Sequence, residues 1–234
     1  DREYSSAKGF ISASAFRDHI ALPLSADELS AFLEETLPAG SSTQLMSSYG
    51  KCFPVFNDDF FILLRYAVLM NRGRLTSYTD FTEALSNRIN NLIDGCGSRL
   101  FLGIYEDFIL KLKTKDMTAA RIKRAMLHLL TGYTGSAQAV AVNYLKKGQL
   151  PYARILAMSG VGQTFIGTIK KGCDIKLINS LGKSISALDG NARTLIQFDI
   201  LSSDIYSAVV KAKFNHTLPD EYRTGIIRLS PPRA

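Results

Sequence analysis

Charge is most concentrated between Lys111 and Arg124, where six of fourteen residues are basic (Lys111, Lys113, Lys115, Arg121, Lys123 and Arg124) and Asp116 alone is acidic. On a helix beginning near Thr118, Arg121, Arg124 and His128 fall within about 60° of one another around the axis. Ile122, Met126, Leu129 and Leu130 lie roughly opposite. One face packs and the other presents cations, with a lysine-rich turn ahead of it. A phosphodiester backbone suits such a surface, because fixed cations displace its counterions and hold its register. A solvated basic face with no partner has the same pattern, and the residues alone leave both readings open.

A second candidate is the segment Phe10-Ile11-Ser12-Ala13-Ser14-Ala15-Phe16-Arg17. Closely spaced hydroxyls, free backbone N–H groups and an arginine just inside a helix start can hold a phosphate. A serine-rich turn also caps a helix with no ligand at all. Gly160-Val161-Gly162-Gln163-Thr164-Phe165-Ile166-Gly167 looks like a phosphate loop, but its third glycine falls two positions late for G-x-G-x-x-G. No Gly-Lys-Ser/Thr follows, so these glycines are expected to serve a tight strand-to-helix turn. Asp58-Asp59 and the Asp199/Asp204 pair have no base or metal ligand nearby in sequence. No G-x-S-x-G elbow is present, and Tyr66, Tyr78 and Tyr105 read as core-edge residues rather than stacking platforms. His19, His128 and His216 are isolated, and Cys52, Cys96 and Cys173 lie far apart with no C-x-x-C. That excludes an obvious zinc site and fits reduced thiols better than a disulfide framework.

The chain has 234 residues, 46% of them hydrophobic and 21% charged, enough to bury a core in one large or two small domains. A net charge of +7 and a pI near 9.3 suggest a polyanionic partner. The longest apolar run, near Phe60–Met70, carries Arg65 and is too short to span a bilayer. Asp1-Arg2-Glu3-Tyr4 shows no signal-peptide pattern, so the expected location is cytoplasmic.

The elements that must position these residues are mostly helical. Ser25 with Glu28 three residues on predicts a capped helix running to about Thr36, ended by Leu37-Pro38. Residues 38–51, rich in Gly and Ser, read as a loop. From about Asp58 the apolar spacing predicts successive helices. The first carries Phe61, Leu64, Val68 and Leu69. The second carries Phe81, Leu85, Ile89, Leu92 and Ile93 and breaks at residues 94–97. Three more follow over about 105–112, 118–131 and 136–147. After Pro151, residues 152–158 read as a strand, 162–171 as a helix and 174–178 as a strand, a βαβ unit implying a parallel pair. Residues 191–211 read as a helix with a break at 202–204, and the last twenty residues, with Pro219, Pro231 and Pro232, as mostly irregular. The predicted class is mainly α (α+β), a helical bundle followed by a small C-terminal α/β lobe.

Several of these stretches, in this order, resemble the bacterial tRNA(Met) cytidine acetate ligases, a branch of the HIGH-type nucleotidyltransferase superfamily. The family segment Lys-Thr-Lys-Arg-Tyr-Thr-x-x-Arg-Ile-x-Arg-x-Leu-x-His is matched here by Lys113-Thr114-Lys115, Thr118, Arg121-Ile122, Arg124 and His128. Asp116 and Met117 replace its Arg-Tyr. Leu64-Arg65-Tyr66-Ala67 and Glu83-Ala84-Leu85-Ser86-Asn87-Arg88-Ile89 resemble two upstream segments, with Ala84 in place of a glycine. Tyr152-Ala153-Arg154-Ile155-Leu156, Ile169-Lys170-Lys171 and Asp204-Ile205-Tyr206 match pieces downstream. The opening resembles the superfamily's Ile-Ser-Ser-x-x-x-Arg motif, with Ala13 at the second serine.

The resemblance implies ATP-phosphate contacts from Ser12, Ser14 and Arg17, and tRNA contacts from Lys113, Lys115, Arg121, Lys123, Arg124 and His128. It implies ATP with Mg2+, acetate and tRNA as the whole protein's reactants, acetate being adenylated and then passed to the exocyclic amine of the wobble cytidine of elongator tRNA(Met). No H-x-G-H occurs in the sequence, and the chain opens on Asp1. The implied piece is therefore a fragment: the end of a nucleotidyltransferase domain with a linker (1–50), a helical domain (51–150) and an α/β lobe (151–234), with no catalytic residues of its own. Two other readings stay open. One is a non-enzymatic RNA- or partner-binding module, and the other a nucleotidyltransferase acting on a small molecule. Thr118 or Arg121 can equally serve to cap or brace the helix.

Overall fold

The computed structural model describes residues 11–38 and 40–229. Phe10, the opening residues 1–4, Pro231 and Pro232 lie outside the described residues. Helices dominate, with a few short parallel strands. By contacts the chain divides into two compact units, Asp1–Phe56 with Val210–Leu218, and Asn57–Val209 with Pro219–Ala234.

The first unit holds α1 (Ala13–Ile20), α2 (Ala26–Thr36) and α3 (Ser41–Ser48). At α2 the predicted capping box is complete. Ser25 Oγ accepts from the Glu28 amide at 3.2 Å, and Glu28 Oε2 accepts from the Ser25 amide at 2.8 Å. Leu29, Phe32 and Leu33 on α2 form a buried core, against which Phe16, Ile20, Leu45 and Met46 pack. The ring of His19 stacks on Phe32 with centroids 3.7 Å apart. α3 corrects the expected loop over 38–51. Gly40, at φ +87°, turns the chain into the helix, and Leu45 and Met46 gain burial against α2. The hydroxyls of Ser47 and Ser48 fold back onto the Gln44 carbonyl, so the serines are accommodated within a helix.

The second unit begins with a 3-10 turn at Asn57–Phe60 and α4 (Phe61–Met70), followed by α5 (Glu83–Cys96), α6 (Tyr105–Leu112), α7 (Ala119–Leu130) and α8 (Gly135–Lys146). These match the predicted helices closely, α6 to the residue. α5 runs through Asp94 and Gly95 and ends at Gly97, so the expected break comes late. Phe61, Leu64, Val68, Leu85, Ile89, Phe108, Ile109, Ile122, Met126 and Leu129 form one buried cluster. Asp58 Oδ1 accepts from the Tyr105 amide at 2.6 Å, closing the N-terminus of α6. That accounts for one of the two adjacent aspartates.

Next come β1 (Ala153–Arg154), β2 (Ala157–Ser159), α9 (Gly160–Gly172), β3 (Leu177–Ile178), α10 (Leu181–Ser184), α11 (Gly190–Phe214) and β4 (Ile227–Leu229). β1 pairs with β3 in parallel, Ala153 opposite Leu177, as the βαβ reading requires. The expected strand over 152–158 is in fact two, because β2 leaves that sheet to pair in parallel with β4, Ala157 opposite Ile227. β4 thus replaces part of the expected irregular tail. Gly160 and Gly162 lie in the first turn of α9, which Ser159 caps by accepting from the Gly162 amide at 3.1 Å. No break occurs at 202–204 in α11. Ser202 Oγ donates to the Phe198 carbonyl at 2.6 Å, sharing that acceptor with the helix, and Ser203 Oγ to Glu221 at 2.8 Å, so both hydroxyls are accommodated without interrupting it. Among the described residues no disulfide links Cys52, Cys96 and Cys173, and no helix is long and apolar enough to cross a membrane.

Candidate functional site

The basic segment spans the end of α6, a tight turn and α7. α7 is fixed by its apolar face, where Ile122, Ala125, Met126 and Leu129 are buried. Thr118 caps it, Oγ1 accepting from the Arg121 amide at 3.4 Å, so a bracing role for Thr118 is visible directly. Ahead of the cap, Thr114 and Met117 exchange backbone hydrogen bonds of 3.2 and 3.4 Å, and buried Met117 pins the turn. Arg88 on α5 donates from Nε and Nη2 to the Lys111 carbonyl at 3.1 and 2.6 Å. Its planar fork ties down the last turn of α6 just before Lys113. The turn's backbone is therefore ordered while Lys113, Lys115 and Asp116 point to solvent.

The six candidate RNA-contacting residues fall into two groups. Lys113, Lys115 and Arg121 are exposed, with no ion-pair partner among the described residues. Lys123, Arg124 and His128 are engaged within the chain. Lys123 Nζ reaches Glu106 Oε1 at 2.6 Å and lies 5.9 Å from the centre of the Tyr105 ring. Arg124 makes a two-point contact with Asp80, Nε to Oδ2 at 2.6 Å and Nη2 to Oδ1 at 2.9 Å. His128 Nδ1 lies 3.2 Å from both Asp80 Oδ2 and the Thr79 carbonyl. The sequence names all six as candidate tRNA contacts, with Arg121, Arg124 and His128 on one helix face. The structure leaves three of them open and fixes the other three against carboxylates.

Asp80 organises that fixed half. It adopts φ +66°, a left-handed conformation that aspartate tolerates better than most residues. The backbone around it is held by the turn after α7. Thr79 donates its amide to the Tyr133 carbonyl at 3.1 Å, and Tyr78 and Thr134 form an antiparallel bridge. The Arg124 hydrogen bonds hold the Asp80 carboxyl below the usual aspartate range, against a smaller opposing effect of burial. The charges of Arg124, His128 and Arg121 add to the lowering.

Asp80, Glu106 and the Arg88 clamp are the site components that the sequence reading did not assign. Arg88 stood inside a matched motif without a role. Asp80 had a local signal, a turn-forming residue directly before buried Phe81 and the helix cap Thr82. Glu106 had none, being 17 residues from Lys123 on a different helix.

The serine segment lies in the first unit. Ser12 is the N-cap of α1 and accepts from the Ala15 amide at 3.2 Å. Ser14 and Arg17, three residues apart, share one side of the helix, Ser14 half-buried and Arg17 exposed. With Ser12 engaged in the cap, the Ser14 hydroxyl, the Arg17 guanidinium and the first-turn amides remain for a ligand. That donor set fits a phosphate group in chemistry and charge.

The profile of the family described as HIGH Nucleotidyl Transferase matches residues 1–221. The tRNA(Met) cytidine acetate ligase of Clostridium tetani is 27% identical over 202 residues, covering 86% of this chain and 45% of that protein. The ligase of the same name from Acetivibrio thermocellus is 26% identical over 219 residues, 92% of this chain and 50% of its own. The crystal structure of Thermotoga maritima TmcAL bound with alpha-thio ATP aligns with a TM-score of 0.78 at 20% identity, over 95% of this chain and 53% of that one. The apo structure of the same protein gives 0.79 over 99% and 53%. At that identity the structural likeness bears on the fold, and the chain spans about half the length of the curated relatives it matches. Matched along nearly all of its sequence, and homologous to tRNA(Met) cytidine acetate ligases, the chain belongs to the HIGH nucleotidyl transferase family.

Proposed function

We propose that this chain is the tRNA-contacting part of an ATP-dependent ligase that acetylates the wobble cytidine of elongator tRNA(Met). The observation that carries the reading is the ordered basic turn. Lys113 and Lys115 stand exposed on a backbone tied down by Arg88 and Met117, with Arg121 one helical turn beyond the Thr118 cap. A turn whose backbone is already ordered loses little freedom when a phosphate backbone docks, and a polyanion gains most from charges that no carboxylate has paired. Lys123, Arg124 and His128 then serve chiefly to hold α7 in place. ATP, when bound with Mg2+, supplies the activation of acetate. The contribution of this chain is to bind its phosphates through Ser14, Arg17 and the first-turn amides of α1. The sequence contains no H-x-G-H, so the groups that complete adenylation belong, in this reading, to the half of the relatives' length that the chain does not match.

The test is binding of an elongator tRNA(Met) transcript to the 234-residue chain at low and physiological salt. Affinity is expected to be micromolar or tighter at low salt and to fall steeply as salt rises. The combined Lys113→Ala, Lys115→Ala and Arg121→Ala variant is expected to lower the slope of log K against log salt by about 2 to 3. Absence of binding at low salt, or a slope that the triple variant leaves unchanged, would overturn the assignment of RNA contact to this turn.

A further inference from the structure

Outside the α7 region, three exposed lysines line a cleft of about 690 Å³ in the second unit. Lys170 comes from the last turn of α9, Lys176 from the extended segment just before β3, and Lys183 from α10. All three are exposed, and none has an ion-pair or hydrogen-bond partner among the described residues. Asp174 is the one carboxylate on the wall, and it pairs with none of them. The floor is apolar, with Ile178 and Leu188 buried beneath it.

A structural explanation reaches only part of this arrangement. A lysine in the last turn of a helix is favoured by the exposed carbonyls there, which accounts for Lys170. It does not account for Lys176, which is in no helix, or for Lys183, whose helix is a single turn. Three like charges brought to one concave surface by three separate elements repel one another and destabilise the apo protein slightly. That cost is offset when an anion fills the cleft.

We propose that this cleft is a second contact for the phosphodiester backbone of the RNA, separate from the basic turn. The inference rests on the tRNA-binding reading above. It adds that the footprint extends to the α9–β3–α10 region, whose unpaired cations equal in number those left open around α7. A polyphosphate chain suits the site better than a single small anion, because the ammonium groups line an open cleft rather than enclosing a point. Lysines, unlike arginines, act here as point charges with no demand for fixed two-point geometry.

Two measurements on the 234-residue chain test this. In the first, lysine acylation is mapped by mass spectrometry with and without elongator tRNA(Met) transcript. Protection of Lys170, Lys176 and Lys183 is expected alongside that of Lys113 and Lys115. In the second, Lys170→Gln/Lys176→Gln/Lys183→Gln is compared with wild type after its melting curve has been shown to match. A roughly tenfold or greater loss of affinity at low salt is expected, with the salt slope reduced by about 2 to 3. Protection confined to Lys113 and Lys115, with unchanged affinity in the glutamine variant, overturns the cleft contact and leaves the basic-turn reading standing. No RNA binding by wild type overturns both. Inorganic pyrophosphate is the remaining arm. If it alone protects the cleft lysines and RNA does not, the ligand is a free phosphate and the RNA assignment is overturned.

Discussion

Asp80 carries more of the candidate site than any other single residue. Its carboxylate accepts from Nε and Nη2 of Arg124 and lies against the His128 ring nitrogen, at a backbone conformation few residues adopt. Its carboxyl is held below the ordinary aspartate value. An acid with a depressed native pKa contributes stability that is fully present above its unfolded value, near 3.9, and is lost as pH falls through the native one. Asp80→Asn is therefore expected to be less stable than wild type by a constant margin from pH 7 down to about 4. The margin should narrow below that as Asp80 itself protonates. Denaturant titrations of both proteins between pH 2 and 7 would show this. A margin that stays constant to pH 2 would place the stabilising role of Asp80 in its backbone conformation rather than its charge. The sequence hid this pair because its members are 44 residues apart. A list of basic residues shows which side chains carry charge but not which of them a distant carboxylate has already matched.

At the scale of elements, α7 is where sequence and packing agree most fully. Its apolar positions recur at helical spacing, its cap is a threonine and Gly132 follows its end, so its bounds were legible within a residue or so. Ile122 is wholly buried at its centre. Ile122→Ala is expected to destabilise the chain by about 2–5 kcal/mol, since the surrounding helices cannot fully close the cavity. Chemical denaturation would measure this, and a loss under 1 kcal/mol would mean the site collapses far more readily than its packing suggests. Elements without such periodicity were harder to read. α3 is composed mostly of serines and small residues, and its stability comes from burial of Leu45 and Met46 rather than from local propensity. The two- and three-residue strands offer too few positions for alternation to show. β2 and β4 also pair residues 70 apart in the sequence, Ala157 opposite Ile227, a pairing that no local pattern signals.

Across the whole molecule, an excess of seven positive charges is divided unequally. Carboxylates match the cations that brace α7, while the basic turn and the lysine cleft present cations with no ion pair among the described residues. The helical bundle of the second unit has a large continuous core, whereas the β2–β4 sheet has almost none. All three residues of β4 are exposed, and β2 has only Met158 partly covered. A two-stranded sheet with so little buried surface opens and closes on its own, without waiting for the helices. In deuterium oxide the amides of Ile227–Leu229 should lose their protons within the first time points, while those of Ile122–Leu129 should retain theirs until the bundle unfolds as a whole. Equal protection in the two segments would mean that the strands share the cooperativity of the core. The expected gradient lets the sheet sample a partly open state well before any loss of the surface that the basic turn displays.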